Sequence, residues 1–280
     1  MTDPISPTDP TEVVKTAVRQ RVIAISNQKG GVGKTTTAVN LATAIAAVGK
    51  RVLVIDLDPQ GNASTSLGID QKHRTTNTYH VLLGQAPLSA AIVPSAVPGL
   101  SVVPSGVDLA AAELDLIDVE NRQACLREAL AAGGQDFDFV LIDCPPSLGL
   151  LTLNALVAAH AVMVPLQAEF LALEGISHLA KTIERVRKTF NPTLELQGIV
   201  LTMVDGRNKL SEMVESDVRE YYGAKVYKTT IPRNVRISEA PSYGKPVLLY
   251  DFQSKGSRAY LDLAGEVLKR EQSLDPGVAA

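Results

Sequence analysis

The 280-residue sequence has only two cysteines, Cys125 and Cys144, which are too few for a disulfide framework and do not have zinc-site spacing. Both are expected to be small buried hydrophobes in a reduced, cytosolic setting. No run of about 18 apolar residues is available to cross a bilayer. Residues 1–20 lack the basic start and apolar centre of a secretory signal, so a cytoplasmic location is expected. There is no internal repeat and no break in composition that would divide the chain. Nor is there a general excess of positive charge: 27 Lys and Arg stand against 30 Asp and Glu, which argues against a simple nucleic-acid binder.

At 45% hydrophobic the chain can bury a sizeable core. Apolar, β-branched runs alternate with helical stretches, which predicts an α/β fold with a single doubly wound, mostly parallel sheet and helices on both faces. One domain is expected over 21–270. Pro4, Pro7 and Pro10 lie among Ser, Thr and Asp, so residues 1–20 read as a flexible tail too short for a helix-turn-helix domain. Residues 271–280 read as a second tail.

The densest signal is Lys29-Gly30-Gly31-Val32-Gly33-Lys34-Thr35-Thr36. It follows the apolar run Val22-Ile23-Ala24-Ile25 and precedes a helical stretch from Thr35 to Val48 that ends at Gly49, a residue suited to the C′ position. Glycines between a strand and a helix let backbone N–H groups converge on phosphate oxygens, and the helix N-terminus adds favourable potential. In such a loop Lys34 meets the β and γ phosphates and the Thr35 hydroxyl ligates Mg²⁺. The common pattern G-x-x-x-x-G-K-[ST] is incomplete, because Gln28 holds the place of its first glycine; Lys29 is an addition to it.

Two further apolar strands end in acidic residues. Arg51 to Ile55 leads into Asp56-Leu57-Asp58-Pro59-Gln60-Gly61-Asn62, and Phe139 to Ile142 leads into Asp143-Cys144-Pro145-Pro146-Ser147. In open α/β sheets ligands bind at the carboxyl ends of strands. An apolar strand followed by Asp is an arrangement that holds Mg²⁺, often through water.

The phosphate loop with its early lysine resembles the deviant Walker A family of ATPases. That resemblance implies that Lys29 reaches across a homodimer to the partner's ATP, that Asp58 positions the attacking water, that Asp56 supports the metal shell, and that Asp143 binds Mg²⁺ indirectly. Within the family three blocks are similar to the ParA/Soj chromosome-partitioning ATPases: Asp143 to Leu148, Gln167 to Gly175, and Ile231 to Ser242. The similarity spans about residues 21–265.

The ParA/Soj resemblance implies adenine contacts at Met203, Pro232 and Asn234, and nonspecific double-stranded DNA binding by the ATP dimer through Arg207 and Arg236. It also implies a ParB/Spo0J-like centromere-binding partner and a nucleoid-associated protein. Positive charge is concentrated where these arginines lie: residues 181–270 carry 16 basic and 11 acidic side chains. Lys245 and Lys255 could extend the patch or simply be solvated. The alternative is a MinD-like, membrane-associated positioning ATPase. Against it, the apolar face of Tyr260 to Glu271 is expected to dock on the sheet rather than enter lipid. A redox role like that of the nitrogenase iron protein is not expected, since neither cysteine has the context of a cluster ligand.

Overall fold

The computed structural model describes residues 20–169 and 172–274; the expected tail at 1–20 lies almost wholly outside them. Eight strands form one sheet: β1 (Arg21–Ile25), β2 (Val52–Asp56), β3 (Val93–Pro94), β4 (Leu100–Val103), β5 (Phe139–Asp143), β6 (Ala161–Gln167), β7 (Glu195–Val204) and β8 (Val226–Pro232). Their spatial order is β3-β4-β2-β5-β1-β6-β7-β8. All neighbours pair in parallel except β3 with β4, as the expected fold class requires.

The alternation of side chains along each strand divides the core into two layers. Val22 and Ala24 of β1, Leu53 and Ile55 of β2, and Val140 and Ile142 of β5 enter one layer, with Leu151, Leu156, Ile176 and Leu179 from the helices on that face. Ile23, Ile25, Val52, Val54 and Leu141 enter the other, where helix Lys34–Ala47 and helix Lys255–Leu274 pack. Burial on both faces explains why the central strands read as continuous apolar runs.

The last helix docks as expected: Tyr260, Leu263, Ala264 and Val267 are buried against the sheet. It runs to Leu274, past the expected boundary at 270. Glu271 accounts for the extension, because its carboxylate meets Arg21 Nε at 2.8 Å and accepts from Gln197 at 2.5 Å. Cys144 is fully buried, as expected, whereas Cys125, at the start of a helix, is only half-buried.

The chain leaves β1 toward β2 on one side of the sheet and later fills β6, β7 and β8 on the other. β1 therefore sits at the point where the strand order reverses, and the crevice beyond its carboxyl end is where such sheets bind ligands.

Candidate nucleotide site

The loop from Ser26 to Gly33 occupies that crevice. Gly31 and Gly33 have φ of +74° and +87°, a left-handed conformation that favours glycine. Gly33 also caps helix Lys34–Ala47 without a side-chain acceptor, so the first N–H groups of that helix face the crevice. Gly49 ends the helix at φ +83°.

Neighbouring strands brace the loop. Asn27 donates to the Pro165 carbonyl of β6 at 2.8 Å and accepts from the Lys29 N–H at 3.0 Å. The Thr202 hydroxyl, near the end of β7, donates to the Val32 carbonyl at 2.8 Å. Lys34 Nζ turns back onto the Lys29 carbonyl at 3.0 Å. Burial pushes the Lys34 ammonium pKa down, and the nearby acidic groups, Asp143 first, oppose that shift. Lys29 points outward, and its Nζ pairs with Glu169 at 2.7 Å. The braces from Thr202 and Asn27 and the Lys29–Glu169 pair are not legible in the sequence, because all depend on which strands lie beside β1.

The two acidic strand ends are adjacent, with Asp56 and Asp143 in register across β2 and β5 and Ile25 of β1 opposite Asp143. The two carboxylates have different environments. Asp56 accepts from the Ser64 N–H at 2.8 Å, the Ser64 hydroxyl at 2.6 Å and the Asp58 N–H at 3.3 Å. These contacts make it the organiser of the 57–64 loop. Burial raises its pKa to about 6. Asp143 is fully buried and neither oxygen has a hydrogen-bond partner within 3.5 Å. Burial, reinforced by Asp56, pushes its carboxyl well up, while the Thr35 hydroxyl and Lys34 pull it down.

An unclaimed carboxylate costs too much to bury as an isolated ion, and this one faces Thr35 and the phosphate loop. Such a donor set suits a hard cation that keeps several waters and takes its remaining ligands from phosphate, as Mg²⁺ does. Among the described residues no cluster of three His, Cys, Asp or Glu could hold a metal by itself.

Asp58 lies at the mouth of the site, mostly buried, and accepts from the Gln60 N–H at 3.0 Å. The loop behind it is fastened by buried Arg74, which donates to the carbonyls of Gly61 and Ile69 and to the Thr65 hydroxyl. A Cβ on Gly61 would come within 2.6 Å of the Arg74 guanidinium, and Gly61 has φ +64°. No sequence motif marks Arg74.

An AAA-domain family model matches residues 20–196. The chain is 59% identical to the chromosome partitioning protein ParA of Caulobacter vibrioides over 254 residues, 90% of this chain and 95% of that protein. It is 50% identical to the sporulation initiation inhibitor protein Soj of Bacillus subtilis, over 88% and 98% of the two chains. The chain belongs to the ParA/Soj family of chromosome-partitioning proteins. Its P-loop ATPase fold matches the cobyrinic acid a,c-diamide synthase of Mycobacterium smegmatis crystallised with ADP and magnesium, with a TM-score of 0.80, 42% identity, and coverage of 91% and 96%.

In this ParA/Soj chain Met203, Pro232 and Asn234 converge where β7 and β8 end. Val204 is in register with Pro232, and the Arg233 N–H donates to the Val204 carbonyl at 3.1 Å. Met203 has φ +53°, unusual for a non-glycine residue, and its methyl group lies 3.9 Å from where a Cβ on Gly33 would stand. Asn234 caps the next helix by accepting from the Arg236 N–H at 2.8 Å.

Arg207 and Arg236 follow the same two strands. Arg207, 90% exposed, makes two 2.9 Å bonds to Asp205. Arg236 pairs with Glu239 at 2.9 Å and Asp251 at 3.3 Å. Both stand at the carboxyl edge of the sheet with their charges countered locally. Lys245 and Lys255 are exposed.

Proposed function

We propose that this protein is an ATP-hydrolysing partition switch: it dimerises on ATP, holds double-stranded DNA nonspecifically as the dimer, and releases it on hydrolysis. The observation that carries the reading is the pair of lysines, Lys29 and Lys34, on a loop braced above Asp58 and Asp143. Gly30 to Gly33, Thr35 and Thr36 cradle the phosphates, and Lys34 exchanges the Lys29 carbonyl for phosphate oxygens. Thr35 and, through water, Asp143 would hold Mg²⁺, which would supply positive charge to the phosphates, with Asp56 fixing the loop alongside. Asp58 orients water for in-line attack on the γ-phosphate, a reaction in which positioning and charge stabilisation dominate.

Met203, Pro232 and Asn234 form the adenine end of the site. Lys29 leaves Glu169 to reach the nucleotide of the second protomer, so turnover depends on dimerisation. An exposed ion pair of this kind is worth about 0–1 kcal/mol, so its loss costs little. Arg207 and Arg236 supply the phosphate contacts to DNA, and a ParB/Spo0J-like centromere-binding protein stimulates hydrolysis at the nucleoid. No helix among the described residues is long and apolar enough to cross a membrane.

The deciding measurement is retention on nonspecific duplex DNA at moderate salt with ATP and with ADP, using Asp58→Ala to prolong the ATP state. Retention with ATP alone is expected. No retention in either state, with the dimer demonstrated by light scattering, would remove DNA from the reading.

A further inference from the structure

Arg74 makes no contact with the phosphate loop, yet the loop that carries Asp58 is built around it. It is only 7% exposed, and its guanidinium makes four hydrogen bonds. Nε and Nη2 donate to the Ile69 carbonyl at 3.0 and 2.7 Å, Nη1 donates to the Gly61 carbonyl at 3.3 Å, and Nη2 donates to the Thr65 hydroxyl at 2.9 Å. All three acceptors are neutral. Burial pulls the guanidinium pKa down, and Asp56, then Asp70, oppose that shift. A buried cation bonded to no carboxylate is costly, and a neutral side chain would fill the space at lower cost. What a neutral side chain lacks is the planar fork of donors that spans three acceptors at once.

The 57–69 loop is fastened elsewhere at two places. On the inner side Asp56 holds the N–H and hydroxyl of Ser64. On the outer side Gly68 lies against Gly244: a Cβ on Gly68 would stand 3.0 Å from the Gly244 carbonyl oxygen, and one on Gly244 would stand 3.1 Å from the Gly68 Cα. Between them lies the turn that aims Asp58. The Gly61 N–H donates to the Asp58 carbonyl at 2.9 Å, the Gln60 N–H donates to the Asp58 carboxylate at 3.0 Å, and Gly61, at φ +64°, starts the helix Asn62–Ser66. Among the described residues, Arg74 is the one group beyond the loop that hydrogen-bonds residues 59–63. We propose that Arg74 is a positioning residue for ATP hydrolysis: by clamping Gly61, Thr65 and Ile69 together it fixes the Asp58 turn, and with it the direction in which the Asp58 carboxylate meets the attacking water. The proposal rests on the reading of Asp58 as the water-orienting group. Because the bonds of Arg74 stop short of the phosphate loop, it serves the attack and not the affinity for nucleotide.

The test is made on the full chain with Arg74→Gln, Arg74→Lys, Gly61→Ala and the double variant Gly61→Ala/Arg74→Gln, beside wild type and Asp58→Ala. Phosphate release from MgATP gives kcat and KM, calorimetry gives ADP affinity, and light scattering gives ATP-dependent dimerisation. A reacting group displaced by a fraction of an ångström loses much of its effect, so Arg74→Gln should lower kcat at least about tenfold. Its KM, ADP affinity and dimerisation should stay within about twofold of wild type, the pattern of an interaction that matters only in the transition state. Arg74→Lys keeps a cation, but one ammonium cannot span three acceptors, and its kcat should fall nearly as far. In Gly61→Ala the new Cβ would come within 2.6 Å of the guanidinium, and kcat should fall again. The double variant should lose no more than the worse single variant, because both act through one turn.

Wild-type kcat in Arg74→Gln beside an inactive Asp58→Ala would overturn the role of Arg74 and leave the ATPase reading standing. Full activity in Arg74→Lys would overturn the clamp in favour of charge alone. A parallel loss of ADP affinity and kcat, with a lowered melting temperature, would reduce Arg74 to a support of the fold and overturn the proposal as well, and so would losses that add in the double variant. Wild-type turnover by Asp58→Ala would overturn the water-orienting reading and take the proposal with it.

Discussion

At the scale of single residues, the sharpest distinction in the candidate site is that between Asp56 and Asp143. Both are buried at the ends of adjacent strands, yet Ser64 and the Asp58 N–H occupy one, while the other has no hydrogen-bond partner. Their raised pKa values make the nucleotide-free protein sensitive to pH in a defined direction. The unfolded chain releases these protons near pH 4; the folded chain keeps the Asp56 proton to about pH 6 and holds that of Asp143 well above its usual range. Over that interval the folded state binds more protons, so their contribution to stability falls as pH rises, by up to about 1.4 kcal/mol per pH unit for each group. Asp143→Asn removes one buried ionisable group. It should raise the melting temperature of the nucleotide-free protein at pH 7.5 by several degrees, at about 2–4 °C per kcal/mol, and change it little at pH 4.5. The same variant should lose most of the extra stabilisation that wild type gains from Mg²⁺ with ADP over ADP alone. Thermal melts at the two pH values check both; an equal shift at both would show that Asp143 is not the titrating group.

At the scale of elements, β1, β2 and β5 were readable because burial on both faces demands the β-branched and apolar runs at 22–25, 52–55 and 139–142. The phosphate loop was readable because its glycines and lysines have no substitute in that chemistry. The sheet order was not readable, and with it went every brace that another strand supplies. Thr202 is the clearest case: it lies 170 positions from Val32, and nothing local marks its hydroxyl as the donor that holds the Val32 carbonyl. Arg74 was hidden for a different reason, since a lone arginine in a polar stretch looks solvated until the fold wraps the 57–69 loop around it. The brace makes a prediction at this scale. Thr202→Val leaves a buried carbonyl without its partner and should cost about 1–3 kcal/mol, with weaker ADP binding because the loop loses its stop on the β7 side. Thr202→Ser keeps the hydroxyl and should restore most of both. Denaturant titration with calorimetric ADP binding distinguishes the cases, and a Val variant that matches wild type in both would show that the loop needs no such support.

At the scale of the whole molecule, charge is segregated: the acidic 107–120 stretch contrasts with the basic excess between 181 and 270. The arginines proposed to meet DNA are not free in the monomer. Asp205 is held down to about pKa 2, chiefly by its hydrogen bonds from Arg207, and Arg236 is shared between Glu239 and Asp251. On the proposed reading a DNA phosphate would have to displace a carboxylate at each position, which would keep monomer affinity low. In the proposed ATP dimer, aligning two such faces would double the number of phosphates neutralised, and because log affinity falls with log salt at about −0.9 per phosphate contact, dimerisation would become a steep switch for DNA affinity. Arg236→Glu removes one contact per protomer and adds repulsion. In the ATP dimer it should flatten the salt slope by about 1.8 and abolish retention at moderate salt, with dimerisation by light scattering unchanged. Asp205→Asn should do the reverse by releasing Arg207 from its countercharge, so that retention persists to higher salt. DNA binding titrated at four or five salt concentrations measures both slopes, and an unaltered slope for Arg236→Glu would place the DNA face elsewhere on the molecule.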